Sequence, residues 1–439
     1  MVVVGGGLSG LFVAVELVSA GIDDVAVLEA SDRPGGVVRT MRHGGYEVEA
    51  AAGTLLLPHP HLSPLLARLG IGTVLAAGPG TRYVYTGDRL EPMPASPKAV
   101  LSPVVSWRGK LRAAAEPFVT APDDPEDESL DTFLRRRLGD EAGRLAAWLA
   151  AAGVFAGDPA RLSARSAFPA LAGMEESAGS LVRAAMRRRR ERPHGAPRAR
   201  TYVPFGGMAA VARAAASFLG DRFRPGFEVA AVSRDGDGWV VEGADDLAAD
   251  HVVLACRPAR AAGLLGGDIA AVLRRAVSAP VVVVGLGGEA GRLPIPPGFG
   301  ALAGPDAGTV SLGVLFESSY APDRAPIGHS LVKVVAGGAT RPEVAGWDDD
   351  RIVTEVGTEV ARMLGHDLDV GFGGVVRHDP GIPQYPVGHG AWLADVENLR
   401  RSLPGLHLTG WGYRGVGVAN LATDARAVAG KITGVAGRG

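Results

Sequence analysis

Three glycines carry the first chemistry. Gly5, Gly7 and Gly10 of Gly5-Gly6-Gly7-Leu8-Ser9-Gly10 fit G-x-G-x-x-G between a valine run at residues 2–4 and a segment, Leu8 to Ala20, with helical apolar spacing. In that setting the first glycine allows a tight turn, the second lets backbone approach a pyrophosphate, and the third lets helix and strand pack closely. The helix N-terminus turns unpaired N–H groups toward the phosphates. Glu29 ends the next strand-like run, Val25 to Glu29. An acid about 20 residues past the turn accepts ribose hydroxyls. The turn alone is a weak signal; with strand, helix and acid in place, Gly5, Gly6, Gly7, Leu8, Ser9, Gly10 and Glu29 predict a dinucleotide site.

Asp32-Arg33-Pro34-Gly35-Gly36 follows the acid at once. It resembles the second phosphate-contacting loop of FAD oxidoreductases, which a nicotinamide enzyme does not need; the alternative is an ordinary glycine turn. Gly410-Trp411-Gly412-Tyr413-Arg414-Gly415-Val416-Gly417-Val418 precedes another helical pattern. N–H groups exposed there would stabilise a reduced, anionic flavin, or the loop merely closes the sheet. Together the three elements predict FAD as cofactor.

Other chemistries lack their residues. There is no G-x-S-x-G elbow and no H-E-x-x-H pair. The single cysteine, Cys256, excludes a disulfide framework and a cysteine-rich metal site. It lies in an apolar run and reads as a buried, inert thiol. His59 and His61 in Pro58-His59-Pro60-His61 have no partner ligands nearby and read as loop, so no metal is expected.

The elements that must position these residues begin with strand, glycine turn, helix, strand, a βαβ unit that implies a parallel sheet. The expected fold class is α/β, a Rossmann-like FAD-binding domain with an α+β substrate domain and a mainly helical insertion. Residues 1–91 read as the first part of the FAD domain and 92–200 as the insertion, with apolar periods at Leu130–Leu138 and Ala142–Ala152. Residues 201–278 return to the FAD domain through a helix (Met208–Leu219) and a β meander, 279–404 form the substrate domain with a helix at Arg351–Leu364, and 405–439 complete the FAD domain with a helix at Asn420–Ile432.

A chain of 439 residues exceeds one ordinary core. Its 47% apolar and 21% charged residues are those of a well-packed globular protein. A net charge of -2 gives no reason to expect nucleic acid. No apolar run is long enough to cross a bilayer, and the chain opens directly into a strand, so a cytoplasmic protein is expected. The acidic stretch Asp123–Glu128 reads as a solvated turn, and the arginine-rich residues 183–200 as an exposed disordered loop, with anionic lipid or a carboxylated substrate as alternatives.

Taken together the chain resembles the FAD-dependent protoporphyrinogen and coproporphyrinogen oxidases, a branch of the flavin amine oxidase superfamily. The resemblance rests on Arg82-Tyr83-Val84-Tyr85, Val154-Phe155-Ala156-Gly157-Asp158, Leu162-Ser163, Phe168-Pro169, Pro297-Gly298-Phe299-Gly300, Gly337-Gly338, Ile382-Pro383-Gln384-Tyr385 and Tyr413-Arg414-Gly415-Val416-Gly417, in family order across nearly the whole chain. It implies FAD contacts at Gly5–Gly10, Glu29, Ala30, Arg33, Gly36 and Val37, at Ala51, Ala52, Gly53 and Thr54, at Val229 through its backbone, and at Gly410, Trp411, Val416, Gly417 and Val418. It also implies Arg82 in the active site, pairing with a propionate of the substrate. The implied reaction is hydride loss from a tetrapyrrole-like, carboxylated small molecule to flavin N5 in successive two-electron steps, with O2 as acceptor. Such a reaction needs little side-chain acid–base help. The insertion sits against a membrane in relatives, which implies peripheral contact at the inner face.

The pattern breaks near the flavin ring. Ala51-Ala52 replaces the family's Gly-Pro, Gly53 stands where relatives carry Arg or Asn, and Trp411 replaces a small or amide residue. Phe299-Gly300-Ala301-Leu302-Ala303-Gly304 has lost bulk, and Asn420-Leu421 replaces Asp-Cys. Two further readings stay open: a flavoenzyme diverged toward another cyclic or aromatic precursor, and a non-catalytic FAD or tetrapyrrole carrier.

Overall fold

The computed structural model describes residues 1–77, 80–93, 102–120, 127–193, 195 and 197–434. Its cofactor-side sheet has five parallel strands in the order Phe223–Pro225, Ala26–Glu29, Val2–Val4, Val252–Leu254 and Leu406–Leu408. Val2–Val4 and Val252–Leu254 are buried throughout, as a parallel strand covered on both faces requires. Helices Leu8–Ser19, Met208–Leu219 and Val418–Thr433 pack one face, the first of them buried over Leu8–Leu17. Trp239 and Val241 from the antiparallel strands Ala231–Asp235, Gly238–Glu242 and Leu247–Ala249 help to cover the other.

The second sheet has seven strands in the order Phe372–Gln384, Val277–Glu289, His329–Gly337, Ser311–Leu315, Gly300–Ala303, Arg82–Tyr85 and Leu90–Met93. The Arg82–Tyr85 strand pairs in parallel with Gly300–Ala303, so residues 82–93 belong to this sheet and not to the cofactor segment expected to run to residue 91. Glycines inside the Val277–Glu289 strand let the Thr40–Glu49 hairpin lie on its surface. A Cβ on Gly285 would fall 2.6 Å from a Val48 methyl, and one on Gly287 2.5 Å from the Tyr46 ring. That contact sets the hairpin's exit, Glu49 to Gly53, between the two sheets.

The insertion is helical, with helices at Trp107–Ala114, Leu130–Leu138, Asp140–Phe155, Ala164–Ala167, Pro169–Ala178 and Leu181–Glu191. The last carries Arg187–Arg190, so that run is helical rather than a disordered loop as far as Glu191. Asp123–Glu126 lie outside the described residues. Asp127 and Glu128 are structural rather than solvated: Asp127 accepts from Ser163 Oγ and the Gly388 N–H, and Glu128 pairs with Arg136. His59 Nδ1 accepts from the His61 and Leu62 N–H groups at the start of helix Leu62–Arg68, a cap rather than a ligand.

Candidate cofactor site

The glycine turn has the geometry its spacing predicts. Gly5 has φ +111°, and a Cβ on Gly10 would fall 2.0 Å from Gly5 O, so no larger residue fits there. Gly7 is the N-cap of helix Leu8–Ser19 and supplies no side-chain acceptor to the first turn. A Cβ there would meet nothing within 4 Å, because Gly7 borders open space. The second loop closes on the first: Gly35 N donates to Gly6 O at 2.8 Å, and a Cβ on Gly36 would lie 3.2 Å from the Gly7 Cα. Glu29 fixes the turn through Oε2, which accepts from Gly6 N at 2.7 Å, while Oε1 accepts from Ser31 N and Oγ.

These elements enclose a cavity of about 310 Å³. It is lined by Gly5, Gly7, Leu8, Ser9, Glu29, Gly36 and Val37, together with Ala51, Ala52, Gly410, Trp411, Val416 and Val418. The N-termini of helices Leu8–Ser19 and Val418–Thr433 both open here, capped by Gly7 and Gly417 without side-chain acceptors. Two uncapped helix starts suit the anionic and electron-accepting ends of a flavin dinucleotide. The donor set and the glycine cradle therefore fit FAD.

Other expected residues stand behind this wall. Gly6 and Gly10 shape the turn, Gly417 caps the last helix, and Val229 is buried beside Arg260, which donates to its carbonyl at 2.9 Å. Ala30 is exposed at the end of its strand, and Thr54 is half-buried beyond Gly53. The Arg33 guanidinium braces its own loop, donating to Gly36 O at 3.0 Å and Val38 O at 3.5 Å. Arg82 does not line the cavity. It is exposed at the start of its strand, 5.7 Å from the Phe299 ring centroid, and Phe299 stacks on Tyr320 at 4.6 Å.

The Ala50–Gly53 segment is held by three side chains, each on one carbonyl: His378 and Lys333 from strands of the second sheet, and Arg324 from the turn Pro322–Arg324. His378 Nε2 donates to Ala50 O at 2.7 Å, Lys333 Nζ to Ala51 O at 3.1 Å, and Arg324 to Gly53 O at 2.7 Å. Lys333 and Arg324 are buried and share Glu317, and Arg324 also reaches Glu49. Burial pushes the Glu317 carboxyl up, but Lys333 and Arg324 together outweigh it and hold it below its ordinary range. Burial raises Glu49 against the same cations. A Cβ on Gly53 would lie 3.1 Å from Lys333 Nζ and 3.2 Å from an Arg324 nitrogen. The space a larger residue at 53 would enter is thus already filled by the Lys333 and Arg324 cations.

The opposite wall is anchored from Ile382-Pro383-Gln384-Tyr385. Tyr385 donates its hydroxyl to Trp411 O and stacks on His389 at 4.2 Å, and His389 bonds Tyr413 O at 3.1 Å. Asp424 accepts from Thr409 Oγ1 and Gly410 N at 2.6 and 3.1 Å. The Trp411 side chain lines the cavity and packs on the core behind it. Sequence reasoning missed Cys256, Arg257 and Arg260, which also line the cavity. Their position just past a central parallel strand, where α/β sheets bind ligands, was the available signal. Burial pushes the Cys256 thiol up to about 11, in keeping with an inert side chain. Among the described residues no cluster of His, Cys, Asp and Glu could hold a metal ion.

The sequence pattern of the flavin containing amine oxidoreductases matches residues 8–432. A chloroplastic protoporphyrinogen oxidase of Oryza sativa is 30% identical over 88% of this chain and 79% of its own. The coproporphyrinogen III oxidase of Bacillus subtilis is 26% identical over 97% and 96%. A crystal structure from Exiguobacterium sp. 255-15, provisionally named a protoporphyrinogen oxidase, superposes with a TM-score of 0.83 over 98% of both chains at 22% identity, a likeness of fold.

Proposed function

Because the chain belongs to the flavin containing amine oxidoreductases, in the protoporphyrinogen and coproporphyrinogen oxidase branch, and is an FAD-dependent oxidoreductase, we propose that it aromatises a porphyrinogen, coproporphyrinogen III or protoporphyrinogen IX. The observation that carries this reading is the stretch of cavity wall built by Ala51, Ala52, Trp411, Val416 and Val418, which offers no carboxylate and no imidazole. A porphyrinogen needs none, since its pyrrole nitrogens release electron density as hydride departs. The bound flavin supplies the two-electron acceptor in each successive step, with O2 as final acceptor. The chain orients the reacting surfaces: Lys333, Arg324 and His378 fix the Ala50–Gly53 wall, and Tyr385 and His389 fix Trp411 and Tyr413. Arg82 offers an exposed guanidinium at the start of its strand in the substrate sheet to a substrate carboxylate. The helical insertion makes peripheral contact with an anionic membrane surface.

A second reading has its own observation. Trp411 stands among the residues of the cavity wall where relatives carry a small or amide residue, which favours a flat aromatic or cyclic precursor other than a porphyrinogen. One aerobic assay separates the two. The purified protein is expected to carry a flavin spectrum and to raise porphyrin fluorescence above autoxidation with coproporphyrinogen III or protoporphyrinogen IX. A flavin-loaded protein that raises it with neither sinks the porphyrinogen reading.

A further inference from the structure

We propose that Arg257 is the side chain that neutralises the cofactor's pyrophosphate, in place of the arginine of the second glycine loop. Arg257 and Arg260 line the dinucleotide cavity and Arg33 belongs to its second glycine loop; two of these three are already engaged. Arg33 donates to Gly36 O and Val38 O, which turns its guanidinium onto its own loop. Arg260 donates to Val229 O and pairs with Glu228. Arg257 lines the cavity and is half-buried; its carbonyl accepts from Ala261 N at 2.9 Å, while its guanidinium makes no hydrogen bond and no ion pair among the described residues. Asp379 acts on it only at longer range, and burial disfavours its charge.

A partly buried cation without a partner is costly, and the cost is recovered only when an anion arrives. The backbone brings Arg257 to the phosphate end. Val252–Leu254 runs parallel to Val2–Val4 in register, so the two strands deliver Ala255 and Gly5 to the same edge. A Cβ on Gly5 would lie 3.2 Å from the Ala255 carbonyl carbon and oxygen. Arg257 follows two residues after Ala255 and lines the same cavity. FAD brings two negative charges to that end, and a guanidinium can hold two phosphate oxygens at once.

The inference rests on the FAD cofactor and not on the porphyrinogen reading, so its test reads binding rather than turnover. FAD release from the purified holoprotein on dilution, followed by flavin fluorescence across a series of NaCl concentrations, gives Kd and its salt dependence. Arg257→Gln is expected to raise Kd by roughly tenfold or more. It should also flatten the slope of log Kd against log salt, because one ionic contact has gone. Arg257→Lys keeps the charge, and is expected to fall between the two in Kd with the wild-type slope. An unchanged Kd in Arg257→Gln overturns the assignment, as does a raised Kd with the wild-type slope, which would mark a packing role. If Arg257→Gln does not fold, Arg257→Lys still decides: loss of the double phosphate contact predicts a Kd at least a few-fold above wild type, and equality overturns it.

Discussion

Lys333 is a charge inside a strand, and its removal tests how the Ala51–Ala52 wall of the cavity is held. Its ammonium lies 3.3 Å from Glu317 and 3.1 Å from Ala51 O, and Arg324 completes a neutral cluster with Glu317 and Glu49. Truncating one partner of a buried pair leaves the other uncompensated and costs about 3–5 kcal/mol. Lys333→Met is therefore expected to lower the urea midpoint strongly and to weaken FAD retention, since Ala51 loses its anchor. Lys333→Met/Glu317→Gln restores neutrality and should recover part of the loss; a strictly additive double variant would contradict the pairing. Arg82 makes the contrasting case. It is exposed, so Arg82→Ala should leave stability within about 0.5 kcal/mol of wild type. It should raise KM for a carboxylated porphyrinogen roughly tenfold while kcat changes less, and steady-state kinetics showing neither change would refute its role. Glu29 and the glycine turn were readable in the sequence because backbone sterics fix their spacing. Lys333, Arg324 and Glu317 were not, since their partners come from distant strands. The one local sign was a lysine inside the apolar run Leu331-Val332-Lys333-Val334-Val335.

At the scale of elements, the pairing of Val252–Leu254 with Leu406–Leu408 carries an acid-sensitive contact. His251 Nδ1 and His407 Nε2 lie 3.2 Å apart at the edge of the cofactor sheet. Burial, helped by His251, Arg400 and Lys431 and opposed by Glu397, lowers His407 from 6.5 to about 4. His378 and His389, on the strand and helix that anchor the two cavity walls, are lowered as well, chiefly by burial. A folded pKa below the unfolded one gives stability that is complete above about pH 6.5 and lost as pH falls toward 4. For His407 alone the ceiling is about 3 kcal/mol. Urea midpoints should drop across that window, and His407→Asn should make the drop shallower; an identical acid limb in the variant would discount the pair. The helices expected at Leu130–Leu138, Met208–Leu219 and Asn420–Ile432 were legible from apolar period, because each buries one face on a neighbour; the last runs from Val418 to Thr433 in the structure. The boundary near residue 91 was not. Arg82–Tyr85 joins a strand more than 200 residues away, and period-2 patterning says nothing about which sheet a strand enters.

For the whole molecule, the open question is which surface meets other structures, and the helical insertion carries the features that decide it. Trp107 and Leu111 stand one turn apart on the Trp107–Ala114 helix, 66% and 63% exposed, and Phe118, just beyond it, is 83% exposed. The turn that bears Phe118 is pinned from below. Glu116 is fully buried against Arg137, and accepts from Ser180 Oγ and the Leu181 and Val182 N–H groups. Helix Leu181–Glu191 therefore packs on that turn, bringing exposed Met186 and Arg187–Arg190 to the same part of the insertion. Aromatic and aliphatic side chains beside an arginine cluster suit an interfacial surface, where rings enter the headgroup layer and guanidinium groups meet lipid phosphates. Among the described residues no helix is long and apolar enough to span a bilayer. Vesicle flotation tests it. Wild-type protein should float with phosphatidylglycerol vesicles and much less with phosphatidylcholine, and rising salt should release it. Each arginine near an anionic surface contributes about 1 kcal/mol, so replacing Arg187–Arg190 by Gln should weaken binding well over tenfold and abolish the lipid preference. Trp107→Ser/Leu111→Ser/Phe118→Ser should weaken binding to both vesicle types and leave the lipid preference in place, since it removes the apolar contribution alone. Wild-type protein that floats with neither vesicle would remove the membrane from this molecule's partners and leave the arginine helix to gather carboxylated substrate.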